Sequence, residues 1–307
     1  LAAASPRTSR TTLSTSSLSV GLHGISVSYS GDASFSDAWS EGTEQSIARA
    51  NPAMSIESSG TSTYGENVTF YATVTSTAGT PTGSVSFFSN DTLLGTATVD
   101  EEGGASLSIN WLGAGEYNIY ATYSGDGNFM EAEASSIGQI VDKAETGVSV
   151  TSSGASTYGD SVTFTASVDS EAGVPTGSVN FYDGDTLLGS GQVNEEGIAT
   201  LTTSSLNAGN HGIWVSYTGD SNFEASSDEG ITQIVSKATS AVALTASAAT
   251  ANQGSSVTFT ATVTSVGTPG GTVTFSDGNT VLATVNVANG VASYSTSALA
   301  VGAHSIT

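Results

Sequence analysis

The feature that most constrains the fold is a repeat with a period of 94 residues. The motif Tyr-x-Gly-Asp begins at positions 29, 123 and 217. The stretch STYGENVTF from Ser62 returns as STYGDSVTF from Ser156, and TPTGSVSF from Thr80 returns as VPTGSVNF from Val174 and TPGGTVTF from Thr268. Several long matches at one spacing predict tandem copies of a single structural unit.

Within each copy, apolar residues alternate with polar ones. The alternation runs through residues 68–74, 162–168 and 257–263, with Val, Phe, Ala and Val on one side each time. Strict alternation predicts a strand with one buried face. Shorter apolar runs predict further strands near Val148, Val179, Leu187, Ala199, Ile213 and Ile231. We therefore expect an all-β chain of antiparallel sandwiches, with about seven strands in each repeat of about 94 residues.

A shared corner motif sharpens this expectation. LGAGEYNIYATY from Leu112, LNAGNHGIWVSY from Leu206 and LSVGLHGISVSY from Leu18 have Leu-x-x-Gly-x-(Tyr/His)-x-Ile in common. Immunoglobulin-like sandwiches place a tyrosine near the start of strand F, bonded back to the main chain. The residues at this corner position are Tyr117, His23, His211 and His304. The chain has no cysteine, so an isoleucine stands where the disulfide would be, and thiolate metal sites and cysteine nucleophiles are excluded.

The sequence resembles the bacterial immunoglobulin-like domain repeats of large surface and secreted proteins. The motifs that carry the resemblance are YGDSVTFTASV, VPTGSVNFYDGDTLLG and LNAGNHGIWVSYTGDSNF, with their counterparts in the other copies. The resemblance covers essentially the whole chain. It implies a β-sandwich, an extracellular or cell-surface setting, and a role as spacer, stalk or adhesive fibre. It implies no catalytic residues, because members of the family share turn and core positions rather than a site.

The repeat divides the chain into four segments. Residues 51–143 and 144–238 are predicted to be whole domains, residues 1–50 the C-terminal part of a domain, and residues 239–307 the N-terminal part of one that lacks its last strands. The joints IVDKAETGVSV and IVSKATSAVAL contain no spacer rich in glycine or proline. Short joints restrict bending, so we expect successive domains to form a semi-rigid rod.

The two partial domains allow two interpretations. The chain is an excerpt of a longer array, or the N-terminal strands of one molecule complete the C-terminal sandwich of another. Complementation predicts two pieces that do not overlap, whereas Leu1–Ser26 and Leu282–Thr307 cover the same part of the repeat. Surplus strands would then be left unpaired, which favours the excerpt.

The Tyr-x-Gly-Asp motif at Tyr29, Tyr123 and Tyr217 is the main candidate site. Its aspartates could serve as calcium ligands, because Ca²⁺ is bound by several carboxylate and carbonyl oxygens. The alternative is a turn in which glycine adopts a positive φ and the aspartate bonds to the nearby main chain. Each copy offers one carboxylate here, too few for a tight site, so we favour the turn and predict no metal. The weak calcium candidates are Asp32, Asp126 and Asp220.

Charge and histidine placement exclude several functional classes. The net charge is −23, with 28 acidic against 5 basic residues, which argues against binding to nucleic acid. No apolar run approaches the roughly 18 residues of a membrane-spanning helix. The three histidines lie in separate copies, so they suit neither a shared metal site nor a catalytic triad. No cofactor is expected.

We therefore expect a non-enzymatic extracellular structural protein that forms a stalk, fibre or filament. Its partners would be neighbouring repeats of the same or an adjacent chain, joined head to tail or laterally. The alternative is an adhesin module that binds a host or matrix glycan or protein through exposed loops. A multivalent binder should repeat its exposed aromatic residues, and Trp39, Trp111 and Trp214 occupy different positions of the repeat. This interpretation of the tryptophans favours the rod.

Overall fold

The computed structural model describes residues 8–307, and every regular element in that range is a strand. The predicted all-β class is therefore confirmed. Contacts divide the chain into two compact units, Leu1–Lys143 and Ala144–Thr307. Residues 1–7 of the predicted N-terminal partial domain lie outside the described residues. The four predicted domain boundaries stay predictions.

The first unit contains a short N-terminal hairpin region followed by a complete sandwich. The strands of the hairpin region are β1 Gly21–Ile25, β2 Ser28–Tyr29, β3 Ala38–Trp39 and β4 Thr43–Ile47. The strands of the sandwich are β5 Ala53–Ser58, β6 Ser62–Thr63, β7 Val68–Thr75, β8 Ser84–Ser89, β9 Thr92–Thr98, β10 Gly104–Ile109, β11 Gly115–Tyr123, β12 Ala132–Glu133 and β13 Ile137–Asp142. One sheet has the order β10-β7-β5 and the other β6-β13-β11-β8-β9, with β12 paired to β11.

The alternation in the sequence becomes the core of this sandwich. Along β7, Val68, Phe70, Ala72 and Val74 are buried and the intervening residues face outward. The ring of Phe70 lies 6.4 Å from the ring of Phe87 on β8, centroid to centroid. Removing these apolar faces from water is the main stabilising term of the sandwich.

The second unit contains a second complete sandwich and a partial one. The strands of the complete sandwich are β14 Gly147–Ser152, β15 Ser156–Thr157, β16 Val162–Asp169, β17 Ser178–Asp183, β18 Thr186–Gln192, β19 Ile198–Thr203, β20 Gly209–Tyr217 and β21 Ser226–Ser236. The strands of the partial sandwich are β22 Ala241–Ala246, β23 Val257–Thr264, β24 Thr272–Asp277, β25 Thr280–Asn286 and β26 Val291–Thr296. Their sheets have the orders β14-β16-β19, β15-β21-β20-β17-β18, β22-β23-β26 and β24-β25.

The repeat in sequence is also a repeat in strand register. Tyr117 of β11 pairs with Gln139, and His211 of β20 pairs with Gln233 in the same relation. One feature was not predicted: the short strands β6 and β15 pair in parallel with the last strand of their own sandwich. The complete sandwiches therefore have more strands than the seven expected, because the first strand changes sheets and counts twice. In the first sandwich β12 and β13 are also separate strands, where the second has the continuous β21.

Candidate functional site

The Tyr-x-Gly-Asp turn is bonded to a second loop of the same sandwich. Oδ1 of Asp126 accepts hydrogen bonds from the main-chain nitrogens of Asn128 and Phe129, at 2.7 and 2.8 Å. Oδ2 accepts from the main-chain nitrogen of Thr82 at 2.8 Å and from its hydroxyl at 2.7 Å. One carboxylate therefore shapes its own turn and holds the loop before β8. We call this arrangement the loop staple.

The second complete sandwich repeats the loop staple. Asp220 accepts from the main-chain nitrogens of Asn222 and Phe223, and from the nitrogen and hydroxyl of Thr176. Burial raises the pKa of this carboxyl, but the hydrogen bonds outweigh it and hold the pKa below its usual value. The same balance lowers the pKa of Asp126.

A tyrosine completes each staple. The hydroxyl of Tyr123 donates to the main-chain oxygen of Thr82 at 2.5 Å, and that of Tyr217 donates to the oxygen of Thr176 at 2.7 Å. Burial, followed by the charge of the adjacent aspartate, raises the pKa of both tyrosines to about 12. The neutral phenol is thus the form that fits this loop end.

The local half of the staple is also present at Asp32. Asp32 accepts from the nitrogens of Ser34 and Phe35, and these bonds lower the pKa of its carboxyl. A proline-threonine-glycine sequence supplies Thr82 and Thr176, whereas the last copy has Gly270 in that place. The sequence motif Pro-Thr-Gly was visible as a repeat, but nothing in it indicated that its threonine contacts the aspartate.

These contacts bear on the calcium alternative. In both full staples each carboxylate oxygen already accepts two hydrogen bonds from the protein. Within residues 8–307, no three His, Asp or Glu side chains lie together as a metal would need. The geometry therefore favours a structural turn at Asp126 and Asp220.

The acidic stretches VDEEGG from Val99 and VNEEG from Val193 lie at hairpin tips and form turns. Oδ1 of Asp100 accepts from the nitrogens of Glu102 and Gly104, at 2.9 and 2.8 Å. Asn194 occupies the same position of the next copy and accepts from Glu196 and Ile198 in the same way. An uncharged amide makes the same two bonds, so the turn does not require the charge.

All four corner residues bond to the main chain four residues upstream. The hydroxyl of Tyr117 donates to the oxygen of Gly113 at 2.8 Å. Nε2 of each histidine lies within 2.7–2.8 Å of a carbonyl oxygen. The histidine–carbonyl pairs are His23 with Ser19, His211 with Asn207, and His304 with Ala300. A tyrosine hydroxyl in one domain and an imidazole N–H in the others thus donate to the carbonyl at the equivalent position of the repeat.

The structure corrects the interpretation of the tryptophans. Trp214 stacks on Tyr182 with ring centroids 4.2 Å apart, and its indole nitrogen donates to the oxygen of Gly184 at 2.6 Å. Tyr120 and Phe88 stack in the equivalent place, with centroids 5.1 Å apart. A stacked aromatic pair is therefore repeated, although its tryptophan is not. Comparing residue classes across strands, instead of tryptophans alone, would have found it.

Comparison with known proteins identifies the repeats. The sequence profile described as Bacterial Ig-like domain (group 3) matches residues 55–142, 149–236 and 244–307. The chain belongs to this family. The predicted resemblance is thereby confirmed, and the chain is an array of tandem Ig-like domains. None of the curated proteins matches it.

Solved structures with similar folds include other arrays. A tetra-tandem repeat from the extending region of a large adhesion protein is 20% identical, with 93% of this chain and 75% of that chain covered and a TM-score of 0.48. Invasin, a bacterial integrin-binding protein, is 14% identical, with 73% and 51% covered and a TM-score of 0.43. Fibronectin(III)-like modules of Clostridium thermocellum CbhA are 21% identical, with 60% and 95% covered and a TM-score of 0.28. At these identities and scores the likenesses say nothing of function.

Among residues 8–307, no helix is long and apolar enough to cross a membrane.

Proposed function

We propose that this Ig-like array is a non-enzymatic extracellular spacer, in which stacked sandwiches form a semi-rigid stalk or fibre. The supporting observation is a direct contact between consecutive domains inside the second unit. The ring of Tyr158 lies 3.4 Å from the place where a side chain on Gly267 would begin. A Cβ added to Gly159 would lie only 2.3 Å from Cγ1 of Val266. The turn before β16 is thus fitted closely against the loop after β23.

Connection lengths support the same proposal. β21 ends at Ser236 and β22 begins at Ala241, so residues 237–240 alone join the two sandwiches of the second unit. A connection this short, together with side-chain contact across it, restricts rotation of one domain against the next. Restricted joints are what a spacer requires, because a flexible chain would not hold a terminal domain at a fixed distance.

Distance measurements can test the stiffness of this joint. The chain has no native cysteine, so two introduced cysteines carry spin labels without background. Asp185 and Asn279 are exposed and occupy equivalent hairpin tips in consecutive sandwiches. We expect the Asp185→Cys/Asn279→Cys variant to give one narrow distance distribution. A broad distribution would contradict a semi-rigid spacer.

The partial domains expose apolar side chains that the complete sandwiches bury. Ile25 is 42% exposed where Ile119 is 0% exposed, and Phe35 is 67% exposed where Phe129 is 3% exposed. In the last domain, a groove of about 810 Å³ is lined by core-type residues that include Leu244, Phe259 and Ile306. These surfaces support contacts with neighbouring repeats, either in the same array or in an adjacent chain placed head to tail or laterally.

Sedimentation separates the two sources of such contacts. Self-association of the chain that is lost in Phe35→Ser would support completion by an adjacent molecule. A monomer in both cases would contradict completion by an adjacent molecule.

An adhesin function is the second candidate, and the aromatic pairs favour it. In each complete sandwich an exposed leucine lies opposite the first ring of the stacked pair, giving a row across three strands. The rows are Leu93–Phe88–Tyr120 and Leu187–Tyr182–Trp214. Repetition of a surface row is what a multivalent binder of glycan or protein would show. Binding to a glycan array that is lost in Leu187→Ser would support adhesion, whereas no binding would leave the spacer as the function.

A further inference from the structure

Two corner histidines have hydrogen-bond acceptors at both ring nitrogens. Nε2 of His211 lies 2.8 Å from the oxygen of Asn207, and Nδ1 lies 2.6 Å from Oδ2 of Asp183. For His304, the corresponding distances are 2.8 Å to the oxygen of Ala300 and 2.5 Å to Oδ2 of Asp277. A neutral imidazole carries one N–H and would leave one acceptor facing a lone pair. Only the imidazolium, with two N–H groups, satisfies both acceptors.

The carboxylate accompanies the histidine from copy to copy. Asp183 and Asp277 end the equivalent strands β17 and β24, and each meets the corner histidine of its own domain. In the first complete sandwich the corner residue is Tyr117, and Ser89 ends the equivalent strand β8. The hydroxyl of Tyr117 donates to the carbonyl of Gly113, as a histidine N–H does at the other corners. The chain therefore contains two corners with a histidine–aspartate pair and a matched corner without one.

Among residues 8–307, the charged partner of His211 and of His304 is in each case one aspartate. The residue paired with His211 on β21 is Gln233, whose side-chain nitrogen donates to Gly154 and Ile234. The corner supplies a carbonyl, and β17 supplies Asp183 as the charged partner. For His304, Asp277 is again the charged partner, and its other oxygen accepts from the nitrogen of Ser305 at 3.1 Å.

We propose that the Asp183–His211 and Asp277–His304 pairs act as pH-sensitive latches, which hold β20 against β17 and the segment at His304 against β24 in mildly acidic conditions and release at higher pH. The domain with Tyr117 at its corner would not respond in this range. The array thus carries domains that differ in pH response although they share one fold. The consequence is graded stability along the chain, set by which residue occupies the corner.

The sign of the effect follows from the protonated form. For His211, burial lowers the pKa, but the carbonyl of Asn207 and the carboxylate of Asp183 outweigh it and raise the pKa above the usual value. For His304, the carbonyl of Ala300 and then Asp277 raise the pKa. A raised pKa in the folded state gives stability that is complete below about pH 6.5 and is lost as the pH rises through the folded value.

An NMR titration of the full chain tests the charge of each histidine. We expect His211 and His304 to titrate above the reference value of about 6.5. Asp183→Asn keeps the side-chain shape and removes the charge, so it should lower the pKa of His211 and leave that of His304 unchanged. If the pKa of His211 is the same in this variant, the pair is not electrostatically coupled and the proposal is wrong.

Amide exchange tests whether the pair changes stability. The measured quantity is the protection of β20 divided by that of β11 in the same molecule, which removes the intrinsic pH dependence of exchange. This ratio should fall between about pH 6 and about pH 9 in the native chain. It should stay constant in His211→Tyr/Asp183→Ser, which copies Tyr117 and Ser89. A constant ratio in the native chain, or an equal fall in the variant, would overturn the proposal.

The reverse pair of substitutions, made in the first complete sandwich, keeps the proposal testable if the first variant does not fold. Tyr117→His/Ser89→Asp should transfer the pH dependence to β11, so that the ratio no longer falls. If β11 keeps its pH-independent protection, the pair is not sufficient and the proposal fails.

Discussion

Thr82 donates two hydrogen bonds to Asp126, one from its main-chain nitrogen at 2.8 Å and one from its hydroxyl at 2.7 Å. The two residues lie on different loops, and the aspartate also fixes its own turn through Asn128 and Phe129. Gly125 makes that turn possible, because its φ is +71° and a Cβ there would lie 3.0 Å from the oxygen of Phe129. The loop end is therefore a connected polar structure and not a set of separate turns.

Removing the hydroxyl of the staple should destabilise its sandwich. Thr82→Val keeps the main-chain bond and the side-chain shape but leaves Oδ2 with one donor fewer. We expect a loss of about 1 kcal/mol in the free energy of unfolding, measured by urea denaturation. Thr98→Val, at an exposed position of β9, is the matched control and should change stability little. Equal effects of the two substitutions would mean that the hydroxyl contributes nothing.

Calcium should not stabilise the array. A bound ion would have to displace donors that already occupy both carboxylate oxygens of Asp126 and Asp220. The melting temperature should therefore be the same in excess calcium and in a chelator. A rise with calcium that disappears in Asp126→Asn/Asp220→Asn would instead establish these aspartates as ligands.

Acid should weaken the loop staples. The pKa of Asp126 and of Asp220 is lowered in the folded state, so the unfolded chain binds protons more readily. The stability from the two carboxylates is complete above about pH 4 and is lost as the pH falls through the folded values. Urea denaturation at a series of acidic pH values should show this loss. Asp126→Asn/Asp220→Asn should flatten the dependence, and an unchanged slope would contradict the assignment.

Gly159 should be required for the close packing of the joint between the last two domains. Gly159 and Gly254 are equivalent, with φ of +92° and +81°, but only Gly159 meets a neighbour, Val266. Gly159→Ala should therefore add a steric clash to a backbone strain of about 1–2 kcal/mol that both variants share. In the Asp185→Cys/Asn279→Cys background, we expect Gly159→Ala, but not Gly254→Ala, to broaden the distribution of distances between the two spin labels. Equal broadening would show that the clash does not matter.

Much of the fold could be predicted because its information is local and repeated. The alternation through Phe164 and Val168 fixes the buried face of β16, and the repeat shows which loops are equivalent. The corner residues were found because their partner carbonyl lies four residues away in sequence. Short-range relationships of this kind appear in a motif that is read along the chain.

The long-range partners could not be found in this way. Thr82 and Asp126 are 44 residues apart, and Asp183 and His211 are 28 apart, so no single motif contains both members of a pair. Their association depends on which loops and strand ends the sandwich brings together. The stacking of Tyr182 on Trp214 depends in the same way on the pairing of β17 with β20.

The parallel pairing of a short early strand with the last strand gives each complete sandwich a mechanical property. In the first, β5 lies in the other sheet, and Ser62 and Thr63 of β6 then pair with Val141 and Asp142 of β13. Tension on the two ends pulls these strands in opposite directions along their length. The hydrogen bonds between the two strands are then loaded in shear, so they must break simultaneously instead of one after another. A domain built like this yields abruptly at a threshold force.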